Sequence, residues 1–407
     1  MSTGYPNTNR AAGFAPKPSP GLGRTAMALV VVGAVLSAAT LLAGEGAARF
    51  GFAWLWAFTF VWGIVLGSLC FVGMQHLTHS IWSVVVRRVA EMLASPMWLT
   101  GLLFLPVLIF GCLADSFRLY PWLDKALVEQ DHLLHNKHAY LNAPFFALRG
   151  LAFFGLWIAF AAFFVRSSLR TDVGEGVERT LAMRKWSVPF MLIFAITATF
   201  AGVDWIMSLE PKWFSTIFGV YIFSGIFVAA LAAITLLTLW LERSGRFGEG
   251  FLTRDHLYNL GALQFAFTCF WAYIAFSQYM LIWYGNMPEE SFYLYDRLAG
   301  GWLAVSITVA VLRFVVPFLA LLSRRAKMNR KMLWWVSIIV LAGQLLDLYW
   351  LIMPARYREA PVLGWQEAGP LLLAVGLLLF CIARFLKRHP PVAVGDPLLE
   401  QSRQFRL

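Results

Sequence analysis

Apolar residues in this chain gather into long continuous runs, broken by short stretches rich in arginine, lysine, glycine or proline. The runs lack the two-residue alternation of a half-buried strand and far exceed strand length. A bilayer core takes about 20 mostly apolar residues in helical form, and about ten segments satisfy that length. They lie near 26–43, 52–75, 97–115, 145–166, 186–208, 214–240, 256–283, 298–322, 332–353 and 368–386. The pattern predicts an all-α polytopic membrane protein. Residues 1–24, rich in Pro, Gly and Asn, read as a disordered tail. They lack the charged start, short apolar core and small-residue cleavage site of a signal peptide.

Two connecting segments carry patterns of their own. Between the second and third spans, Trp82, Val85, Val86, Val89, Met92 and Leu93 recur at helical spacing, with Arg87, Arg88 and Glu91 opposite. That spacing predicts a short amphipathic helix lying on the membrane surface and anchoring two spans. The longest connection, 115–144, holds His132, His135 and His138 in an i, i+3, i+6 series. One helix face could present them to a metal, but no carboxylate cluster or thiol completes a site, so docking of an external partner is the preferred expectation.

Polar residues break the apolar pattern in a repeated way. The fifth span contains Asp204 and the ninth Asp347, each seven residues before a proline, Pro211 and Pro354. Four spans separate the two, an even number, so the repeated unit keeps its orientation. This predicts two parallel four-helix bundles, 51–213 and 214–355, with peripheral spans in 25–50 and 356–407.

Composition supports the membrane assignment. Only 14% of the residues are charged and 59% are hydrophobic, whereas soluble domains carry about 25% charged residues. The 35 Phe, 18 Trp and 12 Tyr suit helices whose ends meet bilayer interfaces. A net charge of +11 would suggest nucleic acid in a soluble protein, but here the Lys and Arg sit in turns between spans. No nucleic acid is expected as a partner, and lipids are. Most of the 33 Lys and Arg fall on the side that carries both termini, which places the termini in the cytoplasm.

With that orientation each intramembrane polar group acquires a depth. Asp204, Glu210, Asp347 and Asp115 fall toward the outside, with Gln278 and Tyr279 at the outer end of the seventh span. His76, His256 and Arg313 are expected toward the inside. A carboxylate or guanidinium in a hydrocarbon-length helix is costly and faces a bundle interior or a wet cavity. The distribution suggests two half-pathways for protons, an outer one of carboxylates with Tyr279 and an inner one of histidines and Arg313. Mutual structural satisfaction, such as Arg313 pairing with a carboxylate, is the alternative. Asp204, with Glu210 near the surface, is weighted slightly above Asp347. No catalytic or metal-binding residue is expected. Cys70, Cys112, Cys269 and Cys381 are unpaired in sequence, and no C-x-x-C-H, P-loop, G-x-G-x-x-G or zincin motif is present. Any redox centre serving this chain would belong to another subunit.

Three stretches resemble a known family. They are His76 to Trp98 with its run Trp82-Ser83-Val84-Val85-Val86-Arg87-Arg88, Asp204 to Pro211, and Phe276-Ser277-Gln278-Tyr279-Met280-Leu281-Ile282-Trp283-Tyr284. Together they are similar to the NrfD/polysulfide-reductase-like membrane subunits of alternative complex III, closest to the ActF type, over roughly residues 25–385. The resemblance implies ten helices in the bacterial inner (cytoplasmic) membrane, two four-helix bundles, and membership of a quinol:electron-acceptor oxidoreductase. It implies partners: an ActC-like membrane subunit, and periplasmic subunits carrying haem c and iron–sulfur clusters. It also implies a proton route in this chain, with no cofactor bound directly. Menaquinol or another quinol at Gln278 and Tyr279 is an alternative within the same complex, and a stand-alone secondary transporter is another.

Overall fold

The computed structural model describes residues 18–43, 46–110, 119–248 and 250–407, and these contain helices but no strand. Helix α1 (Pro20–Leu42) opens on a proline, whose fixed φ suits the first helical turn. Residues 20–24, expected in the tail, are helical, and residues 1–17 of that expectation lie outside the described residues. Helix α2 (Gly46–Leu77) begins before the boundary expected at residue 51. It is followed by α3 (Val84–Ala94) and α4 (Met97–Leu108), which meet at Ser95–Pro96 and together form one crossing-length segment. The expected candidate Asp115 lies outside the described residues.

Two short helices, α5 (Lys125–Gln130) and α6 (His132–Lys137), carry aspartate caps: Asp124 accepts from the Ala126 amide, and Asp131 from those of Leu133 and Leu134. Helix α7 (Ala143–Thr171) precedes α8 (Gly176–Trp205), which tightens into a 3₁₀ turn at Met207–Leu209. Next come α9 (Phe218–Arg243) and α10 (Arg254–Gly285). Asn286, at φ 45°, ends α10 in the left-handed region, as is common just past a helix. Helix α11 (Pro288–Leu298) then leads into α12 (Gly300–Ala310), a π-helical turn at Val311–Val315, and α13 (Val316–Leu321). The chain finishes with α14 (Arg324–Lys327), α15 (Arg330–Ile352), α16 (Trp365–Arg388) and α17 (Leu399–Arg403). Among the described residues, ten helical segments are long and apolar enough to cross a membrane.

Packing sorts eight of these segments into two rings. In the first, α2 touches α4, α4 touches α7, α7 touches α8, and α8 returns to α2. In the second, α9 touches α10, α10 touches α13, α13 touches α15, and α15 returns to α9. The rings join through α2 and α9. Gly63 and Gly67, one helical turn apart, make that contact close: a Cβ on Gly67 would stand 2.5 Å from the Ile226 carbonyl oxygen. Small residues at four-residue spacing let two apolar helices approach and gain dispersion contact. Helices α1 and α16 pair in the same way through Gly33 and Gly376, and α16 lies against α2.

The amphipathic segment departs from its expected place. Helix α3 is buried from Val84 to Ala94, including Arg87, Arg88 and Glu91. Its polar face meets protein: Arg87 donates to Asp396, while Arg88 donates to Asp172 at 2.9 Å and pairs with Glu91 at 3.0 Å. Asp396 belongs to the C-terminal segment, which folds back over this end. Hydrophobic periodicity finds such a helix but says nothing about what covers its charged side.

Candidate functional site

Each candidate carboxylate described by the structure has found a buried arginine. Asp204, on α8, is fully buried and receives Arg149 of α7 at two points, Nε to Oδ2 at 2.7 Å and Nη2 to Oδ1 at 3.0 Å. Arg149 also donates to the Tyr140 carbonyl at 2.9 Å and lies over the rings of Tyr140 and Phe145. The Tyr140 phenol, outside the spans, is pushed up by burial and by the adjacent Asp204 carboxylate. A bidentate guanidinium fixes a carboxylate by two parallel hydrogen bonds, and loss of either partner would leave the other buried without its match. Asp204 is clamped.

Glu210 occupies a different setting. It follows the 3₁₀ turn of the first ring and accepts at 2.8 Å from Arg297 of α11, which leads into the second ring. Arg297 is fully buried, donates to the carbonyls of Tyr293, Trp350 and Leu351, and lies 3.5 Å from the centre of the Tyr293 ring. Tyr293 in turn stacks on Trp213 at 3.8 Å, and burial pushes its phenol up. Glu210 and Arg297 thus form an ion pair between the two halves of the chain.

Asp347 is looser. On α15 and almost fully buried, it pairs with Arg313 Nη2 at 3.6 Å, beyond hydrogen-bond length, and accepts from the Tyr221 hydroxyl at 2.5 Å. Arg313 comes from the π-helical turn and donates to Gln344, one turn before Asp347 on α15. Its Nε and Nη2 donate to no protein acceptor. The side chain fits because Gly225 of α9 and Gly343 of α15 offer no Cβ; one on Gly343 would stand 3.1 Å from Arg313 Cδ. Trp271 of α10 covers the guanidinium at 4.4 Å. Four helical segments of the second ring therefore converge on one charge pair.

The depth assigned to Arg313 needs correction. It was expected with the inner histidines, yet its guanidinium stands beside Asp347. Side chains on a helix lean toward its N-terminus. Antiparallel neighbours therefore lean toward each other, and a long arginine closes a gap that backbone depth alone leaves open.

Beside Tyr221 lies a cavity of about 200 Å³, lined also by Trp271, Gln278, Tyr279, Ser306 and Trp350. It reaches the surface at Tyr279, which is 39% exposed. Gln278 is buried, and its Oε1 has no protein donor. Tyr221, whose hydroxyl donates to Asp347, is thus also a lining residue of this cavity, and a phenol oxygen can accept one proton while donating another.

The two histidines lie elsewhere. His256 caps α10: its Nδ1 accepts from the Thr253 amide at 3.1 Å, leaving Nε2 to donate to the Ser402 carbonyl at 3.0 Å. It fastens the C-terminal segment. His76 is buried and stacks on Phe164, and its Nε2 has no protein partner. Among the described residues no three His, Cys, Asp or Glu are grouped to hold a metal. In 119–142, His132 contacts Asn136, and the segment is tied down by Lys137 to the Pro211 carbonyl and by Lys212 to Asp131.

Arg149, Arg297 and Tyr221 were missed in the sequence. The signal for Arg149 was present: it is an arginine inside an apolar run, as Arg313 is. Both aspartates pair with an arginine on the preceding crossing-length segment. Compared with known proteins, the chain matches no family model and no curated protein.

Proposed function

We propose that the ten apolar segments cross a bacterial cytoplasmic membrane with both termini in the cytoplasm, and that the two rings are parallel four-helix bundles flanked by α1 and α16. On this reading the chain is a non-catalytic subunit of a quinol:electron-acceptor oxidoreductase of alternative complex III type, similar to its ActF-type subunit. It carries protons and supports partner subunits through which electrons pass. The observation behind the proton role is Asp347, a buried carboxylate hydrogen-bonded to Tyr221, a residue that also lines a cavity reaching the surface. A proton arriving in the cavity binds the Tyr221 oxygen as the tyrosine proton passes to Asp347 Oδ1. Arg313, at 3.6 Å, makes no direct hydrogen bond to Asp347, which leaves Oδ1 to the Tyr221 hydroxyl. Asp204 and Glu210, each held by a direct arginine hydrogen bond, fit a supporting role better.

A second reading draws on Gln278. Its buried acceptor in the same cavity suits a quinol hydroxyl, with Tyr221 on hand to take the proton and electrons leaving to redox centres in partner subunits. Affinity purification of the full chain from native membranes tests the assignment to a complex: co-purifying haem and iron–sulfur proteins support it, and a chain recovered alone refutes it. In the reconstituted assembly, Tyr221→Phe is expected to lower the proton-to-electron ratio; an unchanged ratio refutes the route through Asp347. An azidoquinone that labels 271–279 supports the second reading, and labelling confined to other subunits excludes it.

A further inference from the structure

Near the start of α1 and the end of α9, a groove of about 330 Å³ separates the α1–α16 pair from α9 and α15. Its walls are apolar throughout, including Leu237, Trp240, Trp334, Leu341, Leu379 and Ile382. Arg243, one turn beyond Trp240 on α9, lies 4.5 Å from the centre of the ring of Trp334, which lines the groove. Arg243 is exposed and pairs with no carboxylate among the described residues, whereas its neighbour Glu242 is taken by Arg330 through two hydrogen bonds at 2.7 and 2.8 Å. An apolar slot with an unpaired guanidinium over an indole of its lining matches the two halves of one ligand class.

We infer that this groove binds one anionic phospholipid, an acyl chain lying in the slot and the phosphate on Arg243. The charge of Arg243 selects a phospholipid over a neutral isoprenoid tail. Arginine meets phosphate with paired N–H donors, and a tryptophan beside it suits the headgroup level. The bound lipid fills the space between the peripheral pair and the second ring, so it fastens α1 and α16 to the rest of the chain. This rests on the membrane-spanning reading alone, and the proton role is independent of it.

The probe is phosphatidylglycerol with a diazirine in its acyl chain, added to the full-length protein in detergent, with phosphatidylcholine of the same chain for comparison. Photolabelling is expected to concentrate in 233–241 and 334–341. Arg243→Ala is expected to weaken phosphatidylglycerol retention about fivefold, as one basic residue near a lipid surface is worth about 1 kcal/mol, and to leave phosphatidylcholine unchanged. Arg243→Lys should restore most of the preference. Ala233→Phe, which fills the groove, should abolish local labelling while the helical circular dichroism persists. Labelling spread evenly over all exposed faces, or equal retention of both lipids in the unaltered protein, overturns the site but leaves the spans intact. Labelling of no helix refutes membrane insertion itself.

Discussion

Replacing Asp347 with Asn removes a charge and almost no volume. The side chain is 1% exposed, as is that of Arg313 at 3.6 Å. At that separation two unit charges attract by about 5 kcal/mol at an effective dielectric of about 20. Breaking a buried pair from one side costs about 3–5 kcal/mol, because the surviving charge is stranded. Asp347→Asn and Arg313→Gln should therefore each destabilise the protein by roughly that amount. The double variant should cost no more than either alone, giving a coupling energy of about 3 kcal/mol. Unfolding in mixed micelles, followed by tryptophan fluorescence, measures this cycle. Proton translocation, measured separately in the reconstituted assembly, should stay low in the double variant even though it is no less stable than either single variant. Single-variant effects that add to within about 0.5 kcal/mol would show that the pair is not coupled. A double variant that regains both stability and proton transfer would make Asp347 purely structural.

Arg297→Met leaves Glu210 without its guanidinium and three carbonyls without a donor, so it should destabilise by about 3–5 kcal/mol. Glu210→Gln should cost less in the same unfolding assay, because its amide oxygen still accepts from Arg297. His256→Ala removes the reciprocal capping-box bond to the Thr253 amide and the bond to Ser402, each worth about 1 kcal/mol. Limited proteolysis should then cut within 389–407 while the helices stay intact, and an uncut segment would contradict the fastening role. Lys212, with the amides of Leu134 and Leu133, holds the Asp131 carboxyl below its ordinary range. Its contribution is complete above the ordinary value near about 3.9 and is lost only as pH falls through the lowered value. Carbon-13 titration of that carboxyl should show a midpoint below about 3.9, returning toward it in Lys212→Ala.

How far the site was legible depends on the kind of information each residue carries. Asp204, Glu210 and Asp347 stood out because a carboxylate amid apolar residues is expensive wherever its helix packs. Their unequal bonding was not legible. Asp204 is gripped at two points by Arg149, while Asp347 shares a looser contact and a tyrosine, and the two sequence contexts give no sign of this. Tyr221 and Gln278 look ordinary in an aromatic-rich membrane chain and gain significance only through the cavity between them. His256 seemed a relay candidate until its two ring nitrogens were accounted for by Thr253 and Ser402.

The sequence by itself determined the ten long apolar segments as helices, since runs of that length lack the alternation of a half-buried strand and exceed strand length. Tertiary structure alone decided which charges meet. That choice depends on lateral packing, on glycines such as Gly225 and Gly343 that clear space for an arginine, and on the opposed lean of side chains on antiparallel helices. It also decided that α3, amphipathic by pattern, lies buried beneath the returning C-terminal segment. Periodicity records which face of a helix is polar, and only the fold supplies the partner that face will have.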